Sequence, residues 1–321
     1  MNDKDYAKIE TDIYKTIANG SVSFGILGYT ELSIRILSLL KSISIPQIDC
    51  RIYDVNCDTE KVAQNPTVWG IKSLKRMNHD ALVVASDEHK ESILWKSKPY
   101  VTNTPKVILA GYKHFEFQNS SFSKILSDSL VPSYANGYPN TLIHLYQCLH
   151  NASRLSIEGV IAEFGMFKGG TTMFLHNVVQ QLGQSWKIYG FDSFKGFPPK
   201  KNFLDMYDHP DCVWTGIGDV KKLFKDKNVE IVEGDISQTC DKLKDEKLVL
   251  TFVDTDNYSS AESVLDVVQA NTVVRGAIVF DHFTGVDKFR YTIGERMAAK
   301  RLSDDKRYFN LHDTGVFIRQ I

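Results

Sequence analysis

Two rhythms of apolar residues alternate along this chain. Ile9, Ile13 and Ile17 recur at four-residue steps, which predicts a short amphipathic lead-in helix over 1–19. The runs 21–27, 49–55, 81–86 and 106–110 are shorter and read as strands. The last two look like buried strands of a parallel sheet. A helical pattern over 31–42 joins the first two, so 1–120 is expected to form a small Rossmann-like α/β domain. From Asn119 the chain turns polar and rich in turn-forming residues, and a linker is expected over 121–133.

The second half repeats the alternation at larger scale. Leu142, Leu145, Tyr146, Leu149 and Leu155 form one helical stripe within 139–156. Five β-prone runs follow, at 160–164, 187–191, 229–235, 248–254 and 277–282, with a helical piece over 221–224. The last four runs finish at or beside an acid: Asp192, Asp235, Asp254 and Asp281. Ligands of open α/β sheets bind outside the carboxyl ends of the strands. The pattern therefore gathers carboxylates on one rim of a second domain, 134–321.

The first unit of that domain carries the sharpest signal. Val160 to Phe164 is a strand, Gly165 breaks it, and Lys168-Gly169-Gly170 leads into a helix over 171–182. The next strand, 187–191, ends on Asp192, at close to the ~20-residue interval expected of an acid that holds ribose hydroxyls. The glycines do not follow GxGxxG, so a dinucleotide pyrophosphate is not the obvious ligand. An E-x-G-x-x-x-G-G loop suits S-adenosylmethionine, which has no phosphates and needs room for a methionine tail. The first domain carries only Gly25-Ile26-Leu27-Gly28 with Asp54, a worn version of the dinucleotide fingerprint. Glycines close strand-to-helix turns without any ligand, and the structural reading is preferred there. That half resembles the Rossmann-like modules joined to sugar-modifying and glycan enzymes.

Composition narrows the class. Of 321 residues, 43% are hydrophobic and 24% charged, and the net charge of −1 argues against a general nucleic-acid or membrane-surface binder. No run of ~20 apolar residues predicts a membrane span. The N-terminal residues are polar and charged, unlike a signal peptide. Five scattered cysteines without CxxC spacing suit reduced thiols, and a cytoplasmic location is expected.

Glu163-Phe164-Gly165 with Lys168-Gly169-Gly170, the block Asp192-Ser193-Phe194-Lys195-Gly196-Phe197-Pro198, the run Asp254-Thr255-Asp256-Asn257-Tyr258-Ser259-Ser260, and Asp281-His282-Phe283 together resemble the macrocin O-methyltransferase (TylF-type) family, over about 130–321. The resemblance implies a class I methyltransferase fold that uses S-adenosylmethionine, with Mg²⁺ or another divalent cation. It implies O-methylation of a hydroxyl on a sugar or sugar-bearing small molecule. Carried over by position, Glu163, Gly165 and Gly169 would line the methionine and ribose portion of the cofactor. Asp192 would hold the ribose hydroxyls, Ser193 would sit beside the adenosine, and Asp235 and Ile236 would flank the adenine. Asp254 and Asp281 fall on metal-ligand positions. The family pattern continues with a second acid after the one at 281, where this chain has His282. An imidazole suits softer divalent metals better than Mg²⁺, or it serves as a base. His282 is thus a candidate both as a ligand and as a catalytic residue beside Asp254 and Asp281.

Two other readings stand beside this one. One is a metal-independent methyltransferase that uses His282 as base on a nitrogen, carboxylate or other oxygen acceptor; the other is a non-catalytic protein that keeps the cofactor fold. Asp256 reads as the N-cap of the following helix. Lys168 reads as a solvated charge, His209 as an idle histidine, and 193–214 as a mobile loop over the site. Self-association into a homo-oligomer is an expectation of the family.

Overall fold

In a computed structural model, the structure describes all residues except 1, 2, 44–47, 58–60, 63, 64, 110, 116, 118, 138, 139, 215, 285 and 286. The chain divides into two compact units, Met1–Gln118 and Asn119–Ile321. The first contains, in order, α1 (Asp3–Ala18), β1 (Ser23–Leu27), α2 (Glu31–Ser42), β2 (Asp49–Asp54), β3 (Lys61–Val62), β4 (Asn65–Gly70), β5 (Ala81–Val84), α3 (Lys90–Ser97) and β6 (Lys106–Ile108). Its sheet runs β3-β4-β2-β1-β5-β6 and is parallel apart from β3. Ile9 and Ile13 are fully buried against this sheet's core with Phe24, Ile26 and Ile36, as their four-residue spacing predicts. Gly25 packs where a Cβ would meet Leu82 and the His79 ring, and Asp54 accepts a hydrogen bond from the Asn56 N–H in its own turn. Both have structural work to do in the glycine–acid pattern of this unit.

The second unit begins with α4 (Ser120–Ser127), where the sequence reading expects a linker. Asn119 caps this helix by accepting from the Phe122 N–H. Phe122 and Ile125 are buried, and the Phe122 ring meets Phe174 and Tyr146 edge-on. Two apolar residues three apart are enough to dock so short a helix, but too few to stand out from a polar background. The chain continues through α5 (Thr141–Arg154), β7 (Val160–Phe164), α6 (Gly170–Gln181), β8 (Lys187–Asp192), α7 (Ile217–Leu223), β9 (Val229–Glu233), α8 (Ile236–Thr239), β10 (Leu248–Val253), α9 (Tyr258–Asn271), β11 (Thr272–Phe280), α10 (Ile293–Asp304), β12 (Tyr308–Asn310) and β13 (Val316–Arg319). The sheet order is β12-β13-β11-β10-β7-β8-β9, with β13 antiparallel to both of its neighbours and the other pairs parallel. This is the Rossmann-like arrangement that the sequence resemblance implies. Strand order reverses between β7 and β10, the place where such sheets open a crevice.

Register then places the chemistry. Phe191, Phe164, Val253 and Phe280 are paired side by side across β8, β7, β10 and β11. The residues that follow them, Asp192, Gly165, Asp254 and Asp281, therefore emerge together on one rim. Beneath that rim the core is continuous, with Phe164, Phe191, Leu248, Val264, Leu265 and Phe280 all buried.

Candidate active site

Gly165 opens the rim. Its φ is +96°, and a Cβ there would stand 1.9 Å from the Asp254 carbonyl oxygen, so the β7 turn closes onto the β10 turn only with glycine. Gly169 sits at φ +82° as the N-cap of α6 and lets the loop turn into the helix. Glu163 lies below, 1% exposed, and accepts a hydrogen bond from the Thr172 hydroxyl. Burial without a cation raises its carboxyl to about 8, so it is largely protonated at neutral pH.

Asp192 accepts hydrogen bonds from the Phe167 N–H at 2.7 Å and the Phe194 N–H at 2.6 Å. Burial raises its pKa, and the two N–H groups oppose that rise. Each oxygen has a second lone pair, and Asp192 lines the cleft. The Ser193 hydroxyl donates to the Gly196 carbonyl and accepts from the Lys195 N–H, so it closes the DSFKG turn. Asp235 is the N-cap of α8, accepting from the Ser237 N–H and hydroxyl at 2.9 and 2.8 Å, with Lys201 Nζ 3.5 Å away. Burial would raise its pKa, but Ser237 and Lys201 hold it below the ordinary value. Ile236 lines the cleft beside it.

The acids at β10 and β11 are distributed differently from the sequence reading. His282 Nε2 lies 3.0 Å from Asp256, 3.5 Å from Asp254 and 3.6 Å from Asp281. Asp254, Asp256 and His282 offer ligand atoms that all lie within 4.8 Å of one another. Asp281 is 1% exposed and already engaged: its carboxylate accepts from the Asn136 and Gly137 N–H groups at 3.0 Å and from the Thr141 hydroxyl at 2.6 Å. It ties the segment before α5 to the rim. Asp256, expected as a helix cap, stands at φ +60° with its carboxylate turned to His282, and Asn257 is the N-cap of α9. The left-handed turn at 256 rotates the second acid of the DTD run inward, which spacing alone does not reveal.

Burial pulls the His282 pKa down, but Asp256 and Asp254 more than reverse this and bring it to about 10. The ring is an imidazolium at neutral pH and offers no lone pair for abstracting a proton. Asp254 is pushed well above the usual carboxylate range by burial and by Asp281. A further acid, Glu295 on α10, is fully buried behind these loops. It accepts from the Thr255 N–H at 2.8 Å, the Asp256 N–H at 2.9 Å and the His282 N–H at 3.1 Å. One carboxylate thus joins both acid-bearing loops.

The expected mobile loop is anchored. Asp205, 6% exposed, accepts from the Lys201 and Asn202 N–H groups and from the N–H and hydroxyl of Ser259. The Asn257 amide accepts from the Tyr207 N–H and donates to the Tyr207 carbonyl. Tyr207 and His209 line the cleft with the rim residues. The cleft has a volume of about 1110 Å³, ample for a nucleoside and a second small molecule.

The macrocin O-methyltransferase (TylF) family model matches residues 138–320, more than half of the chain. This chain belongs to the TylF macrocin O-methyltransferase family. The protein is accordingly a methyltransferase, and the family match spans the whole rim from β7 to β13. Among curated relatives, it is 22% identical over 194 residues to mycinamicin III 3''-O-methyltransferase of Micromonospora griseorubida, covering 56% of this chain and 75% of that protein. It is 22% identical over 191 residues to the 8-demethyl-8-(2,3-dimethoxy-alpha-L-rhamnosyl)-tetracenomycin-C 4'-O-methyltransferase of Streptomyces olivaceus, covering 56% and 72%. Among solved structures, the O-methyltransferase NovP is 18% identical with a TM-score of 0.47, covering 56% of this chain and 78% of that one. The calicheamicin methyltransferase CalS11 is 19% identical with a TM-score of 0.45, covering 62% and 89%.

Proposed function

We propose that this protein transfers a methyl group from S-adenosylmethionine to a hydroxyl of a sugar or sugar-bearing small molecule. The observation that carries this reading is the single cleft that holds Glu163, Gly165, Asp192 and Asp235 on one side and Asp254, Asp256 and His282 on the other. On this reading Asp192 accepts from the ribose hydroxyls, Asp235 and Ile236 flank the adenine, and Glu163 and Gly165 lie along the methionine portion. Gly169 shapes the same loop, and Ser193 acts by holding the turn that follows Asp192. The relatives' names, one a 3''-O-methyltransferase of mycinamicin III and the other a 4'-O-methyltransferase of a rhamnosyl-bearing tetracenomycin, support an oxygen acceptor on such a molecule.

Asp254, Asp256 and His282 would hold a divalent cation. The donor set fits one: three ligand atoms converge, and the carboxylates of Asp254, Asp256, Asp281 and Glu295 outnumber the one imidazole. The mixed oxygen and nitrogen donors suit Mn²⁺, Fe²⁺ or Co²⁺ as well as Mg²⁺. Such a cation supplies Lewis acidity that lowers the pKa of a bound hydroxyl. The chain's own part is positional. Glu295 fixes the two ligand loops, Asp281 fixes the segment that closes one wall, and the anchored 201–207 loop limits water access, so the reacting groups are held in line. Cation binding and a base role alike require His282 to give up the proton that Asp256 and Asp254 hold on it.

Calorimetric titration of S-adenosylhomocysteine, with and without Asp192→Ala, tests the donor site. Turnover on sugar-bearing acceptors before and after chelation tests the cation. Wild-type protein that does not bind S-adenosylhomocysteine would refute the proposal.

A further inference from the structure

Helix α3 carries two working faces. Lys90, Ile93 and Ser97 are buried on one of them, within the first unit. Glu91, Leu94, Trp95 and Lys98 follow one another at steps of three, one and three, the spacing of a second face. Lys98 keeps helical φ and ψ just past the last turn, so the stripe runs on to it. Docking a helix on its own sheet needs one buried face, and the second is surplus to the fold of the unit. Trp95 is 69% exposed, and Val107, on the edge strand β6, is 45% exposed. Between them lies a groove of about 440 Å³, walled by Leu94, Val101 and Val107 and rimmed by Glu91 and Lys98. A contiguous apolar surface with a charged rim marks a contact site.

The charges at the two ends of the stripe select what covers it. Glu91 stands one turn before the apolar pair and Lys98 one turn after it. Among the described residues neither has an ion-pair partner, and Lys98 Nζ lies 4.9 Å from the Trp95 ring centroid. The midpoint of the stripe falls between Leu94 and Trp95. A two-fold axis through that point sets the helix antiparallel to its own copy. Each Glu91 then meets Lys98 of the second copy, and each Trp95 faces the groove beside the other Val107. A two-fold contact requires a surface complementary to itself, and a stripe whose charge reverses about its centre meets that condition. A partner of uniform charge, such as a nucleic acid or an acidic peptide, would leave one end of the stripe opposed by like charge. We propose that this face of α3, with the edge strand β6 beside it, is a self-association surface that takes a second copy of the chain, α3 against α3. An eight-residue helix is only ~12 Å long, so the contact falls short of the ~800 Å² per partner of a standard interface and is reversible. It belongs to the first unit alone and stands independently of the methyl-transfer reading.

Charge swapping separates this contact from any other surface. The measurement is sedimentation equilibrium of the full chain over roughly 1–100 μM. Glu91→Lys sets two cations against each other and Lys98→Glu sets two acids, and the two-fold axis doubles each repulsion. Either substitution alone is expected to weaken association at least ~10-fold. Trp95→Ser, which removes the side chain at the centre of the contact, should do the same. All three positions are exposed, so the fold does not depend on them. An equimolar mixture of the Glu91→Lys and Lys98→Glu chains pairs opposite charges at both ends and should associate as wild type does. The double variant Glu91→Lys/Lys98→Glu should also recover wild-type association. Wild type that stays monomeric over the whole range overturns the surface. So do single variants that associate as tightly as wild type, since another surface then carries the oligomer. A mixture or a double variant as weak as the single variants overturns the α3-against-α3 pairing.

Discussion

Glu295→Gln is the most informative single substitution, because it keeps the shape of the side chain and removes one of two accepting oxygens. The wild-type carboxylate takes three backbone N–H groups from two loops, at 2.8, 2.9 and 3.1 Å, from a fully buried position. A glutamine can turn its carbonyl to the Thr255 and Asp256 pair or to His282, but not to both. Its NH₂ then faces at least one buried N–H. Leaving such a donor unsatisfied costs ~1–3 kcal/mol, and loss of the charge weakens the bonds that remain, so ~2–4 kcal/mol is expected in total. For a unit of this size each kcal/mol lowers Tm by ~2–4 °C, which predicts a fall of roughly 5–15 °C. The loops that carry Asp254, Asp256 and His282 would also lose their common anchor, and residues that orient ligand-bearing groups in this way typically cost ~10–100-fold in activity. Thermal melts and methyl-transfer rates should be taken at pH 8.5, above the value of about 7 to which burial raises the Glu295 carboxyl. A variant that melts within ~2 °C of wild type and turns over within about twofold would refute the clamp.

Four other outcomes are expected. Asp192→Asn should weaken S-adenosylhomocysteine binding at least ~10-fold by calorimetry, since one of its two oxygens no longer accepts. Chelation should abolish turnover, Mn²⁺ or Mg²⁺ should restore it, and Asp254→Asn should raise the cation concentration needed at least ~10-fold; turnover that is indifferent to chelator removes the cation from the reading. Glu163 has a folded-state pKa of about 8 against an ordinary 4.5, so its proton stabilises the native state fully below about 4.5, and that contribution is lost as the pH rises to about 8. Glu163→Gln has no proton to lose, so its Tm should gain on wild type by several degrees between pH 5 and pH 9; a constant gap contradicts the assignment. Asp205→Ala removes acceptors for four donors and should expose the 199–209 loop to limited proteolysis at sites that wild type protects.

What the sequence disclosed and what it hid follow from how local each signal is. The β7–α6–β8 unit is legible because its glycines, apolar strands and terminal acid lie within one short stretch, and register then carries Asp254 and Asp281 to the same rim. Asp256 is misread because a left-handed turn, invisible in spacing, points it inward. Asp281 is placed correctly but binds the 136–141 segment, a pairing made across well over a hundred residues. Asp205 gives no local sign at all. Glu295 does give one: it shares a helical stripe with Ala298, Ala299 and Leu302, all buried, and an acid on the core-facing stripe of a helix needs partners. The anchoring of the 193–214 region is hidden for the same reason as the Glu295 clamp, since each partner belongs to an element far away in sequence.

The glycine at 165 has a consequence for how this protein can change over time. With the Asp254 carbonyl 1.9 Å from the place its Cβ would take, the β7 turn and the β10 turn meet across a single peptide. Any side chain introduced there displaces both turns at once. Position 165 is therefore closed to variation that the outer loops of the cleft can accept.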